Sequence, residues 1–347
     1  MLDRAVRVGM IGCGTQANVH FAGIKALGAD QATVAAVCDL DEARLDAAGQ
    51  LWPQARAAQD YQDLLAPGDL DLVVVATMPN THQAISLASL DAGACVLCEK
   101  PFMMNVAQAE AVLAKAAQTG LQVQLGTNMR YMPSSRYLHD LVQGGTIGAP
   151  VFAKAWGCHH DPPVWGPHYH RATSGGGVLA STLVHTLDLA MWVGGSPNPL
   201  TVSAATRRLF PGKRGAKVAG AIHAHYDAED LISALVRFDN GAFYALEGNW
   251  CSERTDFHSF ELTTTRATVT GAPLAVSVDV AGQIVDQTPQ LDGDDWFHSV
   301  HTQDAALIAQ LRAGDPWDLQ DARQLLNLQK VVDACYESAR TGREVVL

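Results

Sequence analysis

Two rhythms of apolar residues divide this chain. Over the first third, short apolar runs at 6–11, 33–38, 72–76, 94–98 and 123–125 read as strands. Between them, at 17–27, 41–51, 82–91 and 106–119, apolar residues recur every three or four positions, the spacing of amphipathic helices. Asn105 is placed to cap the last of these helices, with Gln108 at its third position. Short apolar strands separated by helices predict a parallel sheet covered on both faces. That is a doubly wound α/β fold, which takes its ligand at the carboxyl ends of the strands.

The rhythm changes near residue 128. Positions 133–143 read as a helix ending at Gly144-Gly145, and strand-like alternation then dominates, at 151–156, 202–207, 231–238, 242–250 and 260–265. Asp239-Asn240-Gly241 is a tight-turn signal between two of these strands and predicts a hairpin. One amphipathic helix, 183–193, interrupts the strands, and the tail is helical again at 299–311 and 319–340. The expected organisation is a Rossmann domain over 1–127 and a second α/β domain over 128–347, with a large, mostly antiparallel open sheet and helices on one face. An open sheet of that kind often has its other face buried by a second subunit.

Composition narrows the class. The chain has 347 residues, 48% hydrophobic and 17% charged, enough for two cores. No uninterrupted apolar run approaches the roughly 18 residues of a membrane span, and no charged leader with an apolar signal core precedes the first strand. The cytoplasm is therefore the expected location, with no membrane partner. The net charge of -12 argues against nucleic-acid binding, which needs basic surface. Seven cysteines, an odd number, form no disulfide framework. Cys95 and Cys98 have redox-motif spacing but fall in a strand, where positions three apart face opposite sides.

The first strand runs into Gly12-Cys13-Gly14-Thr15-Gln16-Ala17, a dinucleotide fingerprint with alanine at its third small position. Gly12 permits the turn, Gly14 lets the backbone approach a pyrophosphate, and Ala17 allows close helix packing, with the phosphates at the helix N-terminus beside Thr15 and Gln16. Asp39 ends the second strand, where a carboxylate accepts hydrogen bonds from ribose hydroxyls and repels a 2′-phosphate; Leu40 beside it offers no cation. NAD rather than NADP is the expected cofactor, the other reading of Asp39 being a helix cap. Thr77, Pro79, Asn80 and His82 follow the fourth strand and open a helix beside the expected nicotinamide ribose, or form an ordinary proline turn. Glu99-Lys100-Pro101 comes directly after the fifth strand.

These residues resemble the glucose–fructose oxidoreductase/inositol dehydrogenase (Gfo/Idh/MocA) family. The resemblance spans nearly the whole chain and includes Gly126-Thr127-Asn128-Met129-Arg130-Tyr131-Met132-Pro133, Gly175-Gly176-Gly177 followed by His185 and Asp188, and Ala339-Arg340-Thr341-Gly342-Arg343. It implies hydride transfer between a nicotinamide cofactor and a secondary alcohol of a sugar or cyclitol, in a homodimer or homotetramer formed through the C-terminal sheet. By resemblance Lys100 reaches the substrate oxygen near the nicotinamide, where it can take a proton and stabilise negative charge, and Glu99 and Asn128 join the cofactor site. His185 is the second catalytic candidate. Ser181, four residues before it, stands where family dehydrogenases commonly carry Asp, so a less basic His185 is expected.

The stretch 156–171 combines Trp156, His159, His160, Asp161, Trp165, His168, Tyr169, His170 and Arg171. Aromatic rings stack on sugar faces, and Trp156, His159, Trp165, His168, Tyr169 and Ser181 are the expected substrate contacts; a surface loop or a histidine metal site are the alternatives, and no metal is expected. Arg130 is expected to line the substrate cleft or to act as a structural ion-pair partner. Two other functions fit the same motifs: a lyase or glycosidase that oxidises a ring hydroxyl transiently with tightly held NAD, and a non-enzymatic NAD-sensing regulator.

Overall fold

A computed structural model describes residues 2–161, 169–210, 212, 224–253 and 258–347. The chain divides into two units, the first made of 1–131 and 295–325, the second of 132–294 and 326–347.

The first unit holds a six-stranded, wholly parallel sheet, ordered β3-β2-β1-β4-β5-β6. Its strands are β1 (Val6–Ile11), β2 (Ala32–Cys38), β3 (Arg56–Ala58), β4 (Leu72–Val75), β5 (Cys95–Cys98) and β6 (Val123–Leu125). Helices α1 (Thr15–Leu27), α2 (Glu42–Leu51), α3 (Tyr61–Leu65), α4 (Pro79–Asp91) and α5 (Val106–Thr119) connect them. Strands β4 and β5 are buried at every residue, which is why they read as continuous apolar runs. Asn105 caps α5 as expected, accepting from the Gln108 N–H at 3.0 Å. The short β3 and α3 carry too few apolar residues to be legible from spacing.

These units differ from the expected division in the tail. Helix α9 (Trp296–Ala313) packs on α1, and Leu307, Ile308 and Trp317 join the apolar core under β1 and β2. Gly23 permits this approach, because a Cβ there would lie 2.9 Å from His301 and 3.0 Å from Asp304. The tail thus returns to the first unit before helix α10 (Ala322–Thr341) carries the chain into the second.

The second unit is built on a nine-stranded sheet, ordered β14-β13-β12-β11-β7-β10-β9-β8-β15 and antiparallel except where β7 (Pro150–Cys158) meets β10 (Phe243–Asn249). The others are β8 (Pro199–Arg207), β9 (Leu231–Phe238), β11 (His258–Thr264), β12 (Ala267–Thr270), β13 (Ala275–Val280), β14 (Gln283–Asp286) and β15 (Val345–Val346). The expected hairpin joins β9 to β10, with Gly241 at φ 83° and Asn240 Oδ1 accepting from Ala242 N. Helices α6 (Pro133–Gln143), the short α7 (Arg171–Ser174) and α8 (Val184–Val193) belong to this unit. α8 is buried at all its residues and packs on β7 and β11. The segment Arg171–Val193 is apolar enough to cross a bilayer by composition, but 94% of its apolar window is buried inside the protein; it belongs to the core.

Candidate active site

At the carboxyl edge of the parallel sheet, each strand hands its next hydrogen bond to a neighbouring loop. Gly12 N donates to Cys38 O at 2.8 Å, Ala76 N to Ile11 O at 2.8 Å, Glu99 N to Val75 O at 2.9 Å, and Gly126 N to Cys98 O at 2.7 Å. The loops after β1, β4, β5 and β6 therefore leave the sheet in register along one edge. The sheet order reverses between β1 and β4, so this edge is the switch-point crevice where such folds bind ligands.

The glycine loop fits a dinucleotide. Gly12 has φ +90°, and a Cβ there would sit 2.5 Å from Ala76 O, so only glycine allows the loops after β1 and β4 to touch. Gly14 caps α1 without a side-chain hydrogen bond, there is no acidic residue in the first turn, and its missing Cβ would meet only Arg44 Nη1, at 3.8 Å. The orphan N–H groups of Thr15, Gln16 and Ala17 are thus uncapped by side chains, as a pyrophosphate requires. Ala17 is fully buried, as its packing role demands. Asp39 Oδ2 accepts from Cys13 N at 2.7 Å and Oδ1 from Asp41 N at 2.9 Å. The cap of α2 is Asp41, which accepts from Ala43 and Arg44 N–H groups, so Asp39 is held against the glycine loop instead. Arg44 Nη1 lies 3.8 Å from Asp39 Oδ2.

The residues after β4 divide. Pro79 is the first residue of α4 and is buried, Asn80 is exposed, and the Thr77 hydroxyl lies 2.7 Å from that of Thr81. His82 is fully buried; Nδ1 lies 2.9 Å from Pro101 O and Nε2 3.2 Å from Thr77 O. Burial keeps its pKa below the usual value despite those carbonyls. The His82 ring thus lies between the loop after β4 and the Glu-Lys-Pro segment, within hydrogen-bond reach of a carbonyl of each. Asn128 and Arg130, each 2% exposed, also bond inward. Asn128 Nδ2 donates to Ser299 Oγ at 2.8 Å. Arg130 Nη1 donates to Leu319 O at 2.6 Å and Gln324 Oε1 at 2.7 Å.

Lys100 follows β5, and the peptide to Pro101 is cis. Burial lowers the Lys100 pKa, with Glu99 opposing, so its amine is neutral over more of the pH range than an ordinary lysine's. Glu99 Oε2 accepts from Lys100 N at 3.2 Å, and Oε1 accepts from Gln16 Nε2 at 3.0 Å. Oε1 also lies 3.1 Å from His20 Nε2, whose Nδ1 is 2.9 Å from Asp304 Oδ1. Neither His20 nor Asp304 stood out in the sequence. His20 is a polar residue on the buried face of α1, but its partner is 284 positions away.

In the second unit, Gly175-Gly176-Gly177 is a packing device. A Cβ at Gly176 would lie 1.8 Å from the Tyr336 hydroxyl, and one at Gly177 would lie 1.8 Å from Glu229 O. The Glu229 carboxylate accepts from Gly177 N at 2.9 Å, Leu179 N at 3.1 Å and the Tyr336 hydroxyl at 3.0 Å. It thereby anchors the start of a π-helical turn, Leu179–Leu183, which runs directly into α8. Ser181 lies in that widened turn and His185 in the α-helix after it, both buried. π-turns inside helices are frequent at functional sites.

Gly157 faces the π-turn, where a Cβ would be 2.8 Å from Thr182 Cγ2. By strand alternation the Trp156 side chain points to the opposite face of the sheet. His159 is hydrogen-bonded through its N–H to Asn249 O at 2.8 Å, and its ring stands edge-on to His258 at 4.9 Å. Tyr169 stacks on Tyr226 at 6.0 Å. Trp165 and His168 lie outside the described residues. Among the described residues no three His, Cys, Asp or Glu side chains gather as a metal site would require.

A glycine loop open at Gly14, a carboxylate at the end of β2 and a lysine of lowered pKa on one edge of a doubly wound sheet define a dinucleotide-dependent oxidoreductase. Residues 6–127 match the family described as oxidoreductase family, NAD-binding Rossmann fold, and 135–270 match the GFO/IDH/MocA C-terminal domain. The chain belongs to the Gfo/Idh/MocA family, and NAD is its cofactor. It is 27% identical to D-glucoside 3-dehydrogenase of Escherichia coli, over 100% of this chain and 99% of that one. It is 32% identical to inositol 2-dehydrogenase of Acidothermus cellulolyticus over 68% of this chain and 63% of that one. Levoglucosan dehydrogenase in complex with NADH and levoglucosan has the same fold, with a TM-score of 0.88 at 18% identity, covering 99% of each chain.

Proposed function

We propose that this protein oxidises a secondary hydroxyl of a sugar, sugar derivative or cyclitol. The observation that carries the reading is Lys100, an amine of lowered pKa on the same sheet edge as the dinucleotide loop. Gly12, Gly14, Thr15, Gln16, Ala17 and Asp39 would hold the cofactor, with Thr77, Pro79, Asn80 and Glu99 toward its nicotinamide half. When bound, NAD supplies the hydride acceptor.

The Lys100 Nζ, deprotonated, accepts the hydroxyl proton as the carbonyl forms. In the reverse direction the ammonium returns that proton to the carbonyl oxygen. His185 is the second proton-handling group by family resemblance, with Ser181 hydrogen-bonding in place of the usual acid. His159, Tyr169, Trp165 and His168 remain the proposed substrate contacts. The relatives' names are those of dehydrogenases acting on glucosides, apiose and inositols; none suggests a lyase cycle. Oligomerisation is proposed through the open sheet face, where Phe152 and Phe243 lie 4.9 Å apart and Phe243 is 41% exposed; light scattering checks it.

The test is nicotinamide absorbance with NAD and a panel of hexoses, pentoses, glycosides and inositols at mildly alkaline pH. Turnover that is lost in Lys100→Met, with NAD binding kept, is the expected result. NAD binding without turnover on any member refutes the assigned substrate class.

A further inference from the structure

His20 is fully buried, yet each of its ring nitrogens faces a carboxylate. Nε2 lies 3.1 Å from Glu99 Oε1, and Nδ1 lies 2.9 and 3.0 Å from the two oxygens of Asp304. A neutral imidazole has one donor and would present a lone pair to one of those carboxylates; only the imidazolium donates to both. Burial alone would favour the neutral ring, but the two carboxylates overcome it and raise the His20 pKa to about 10. The ring is therefore a fixed cation at working pH.

The Glu99 carboxylate it holds is one residue from Lys100. That carboxylate also accepts from Gln16 Nε2 and from Lys100 N. Gly126 closes the cradle, since a Cβ there would sit 2.8 Å from Glu99 Oε1. Glu99 is thus held by α1, by its own strand end and by the loop after β6. The titratable groups around the cluster are His20 on α1, His82 on α4, Cys98, Glu99 and Lys100 at the end of β5, and His301 and Asp304 on α9.

We propose that His20, clamped by Asp304, is a positioning residue that fixes the place and charge of Glu99, so that the net charge of this buried pair, rather than solvent, governs when Lys100 carries its proton. As a statement about catalysis this rests on the proton-transfer role given to Lys100 above. Replacing His20 by glutamine keeps a donor near the Nε2 position and deletes the cation. Glu99 keeps Gln16, the substituted amide, the Lys100 N–H and the lysine's own charge as partners, all of which favour its ionised form against burial. An uncompensated anion then holds the Lys100 ammonium more tightly. Glu99→Gln does the opposite, because it removes the anion and leaves the His20 cation.

The two variants move the Lys100 titration in opposite directions, which a loss of packing alone does not do. The readout needs neither substrate nor cofactor: competitive acetylation of Lys100 in the intact protein as a function of pH, quantified on its peptide by mass spectrometry. The expected shift is roughly one pH unit upward in His20→Gln and downward in Glu99→Gln. If His20→Gln fails to fold, Glu99→Gln alone must still shift down. Titrations that stay at the wild-type position, or that move in the same direction in both variants, overturn the proposal. The outcome is separable from the function proposed above: opposite shifts in a protein that turns over no sugar keep the positioning role and remove the dehydrogenase reading.

Discussion

Two glycines only two positions apart, Gly12 and Gly14, give the sharpest test of the cofactor site. Gly12 has φ +90°, and an added Cβ would sit 2.5 Å from Ala76 O, 2.7 Å from its carbonyl carbon and 2.9 Å from Thr77 N. All three are backbone atoms of the loop after β4, which cannot move without breaking the Ala76 N to Ile11 O bond. Forcing a side chain into that backbone conformation costs about 1–2 kcal/mol, and overpacking adds about 1–3 kcal/mol. Gly12→Ala should therefore destabilise the first unit by roughly 2–5 kcal/mol, a fall in Tm of about 5–20 °C. Gly14 has φ -80° and ψ -162°, which alanine tolerates, and its added Cβ would meet only Arg44 Nη1 at 3.8 Å. Gly14→Ala should leave the melting curve within about 0.5 kcal/mol of wild type. Its methyl would instead stand where the pyrophosphate meets the N-terminus of α1, so NAD affinity should fall at least about tenfold, which is about 1.4 kcal/mol. Scanning calorimetry without cofactor and an NAD fluorescence titration separate the two effects. A Gly14→Ala protein that binds NAD like wild type would refute the placement of the pyrophosphate. A Gly12→Ala protein that melts like wild type would refute the close-approach argument.

Four further outcomes follow from the same geometry. Asp39→Ser removes the carboxylate that repels a 2′-phosphate and releases Arg44, now 3.8 Å from it; the NAD-over-NADP preference in kcat/KM should drop at least about tenfold, and an unchanged ratio would remove Asp39 from cofactor discrimination. Gly177→Ala drives a Cβ to 1.8 Å from Glu229 O, a backbone clash worth about 3 kcal/mol or more; thermal unfolding should show it, and a wild-type Tm would mean the π-turn can shift freely. The His20 pKa is raised from 6.5 to about 10 on folding, so its contribution is complete below about pH 6.5 and lost as pH rises through about 10; stability measured in urea should fall over that window, and less steeply in His20→Gln. Ser181→Asp restores an acid near His185 and should raise the pH of the His185 limb in the pH–rate profile; a superimposable profile would show that position 181 does not tune His185.

The local chemistry of the nucleotide half was legible along the chain because it depends on short-range facts. Strand β1, the turn at Gly12, the uncapped start of α1 and the carboxylate at the end of β2 lie within the first 39 residues and obey fixed spacing. Lys100 was legible for the same reason, following directly on a run buried on both faces. The sequence also determined the sheet-rich character of the second unit, through alternation along β7, β9 and β10, and the hairpin at Gly241.

Tertiary structure decided what depended on distant partners. That His20 lies between two carboxylates is set by Asp304, on a helix whose apolar pattern gave no sign that it returns to the first unit's core. That the triple glycine serves packing is set by Glu229 and Tyr336, which meet it from β9's approach and from the last helix. His82 has the sequence position of a cofactor contact, and the fold buries it completely between the carbonyls of two loops. Trp156 sits in an aromatic-rich stretch, but the pleat of β7 turns it away from α8. In each case the residue type was plain from the chain, while its role was set by which groups complete its hydrogen bonds or exclude its neighbours.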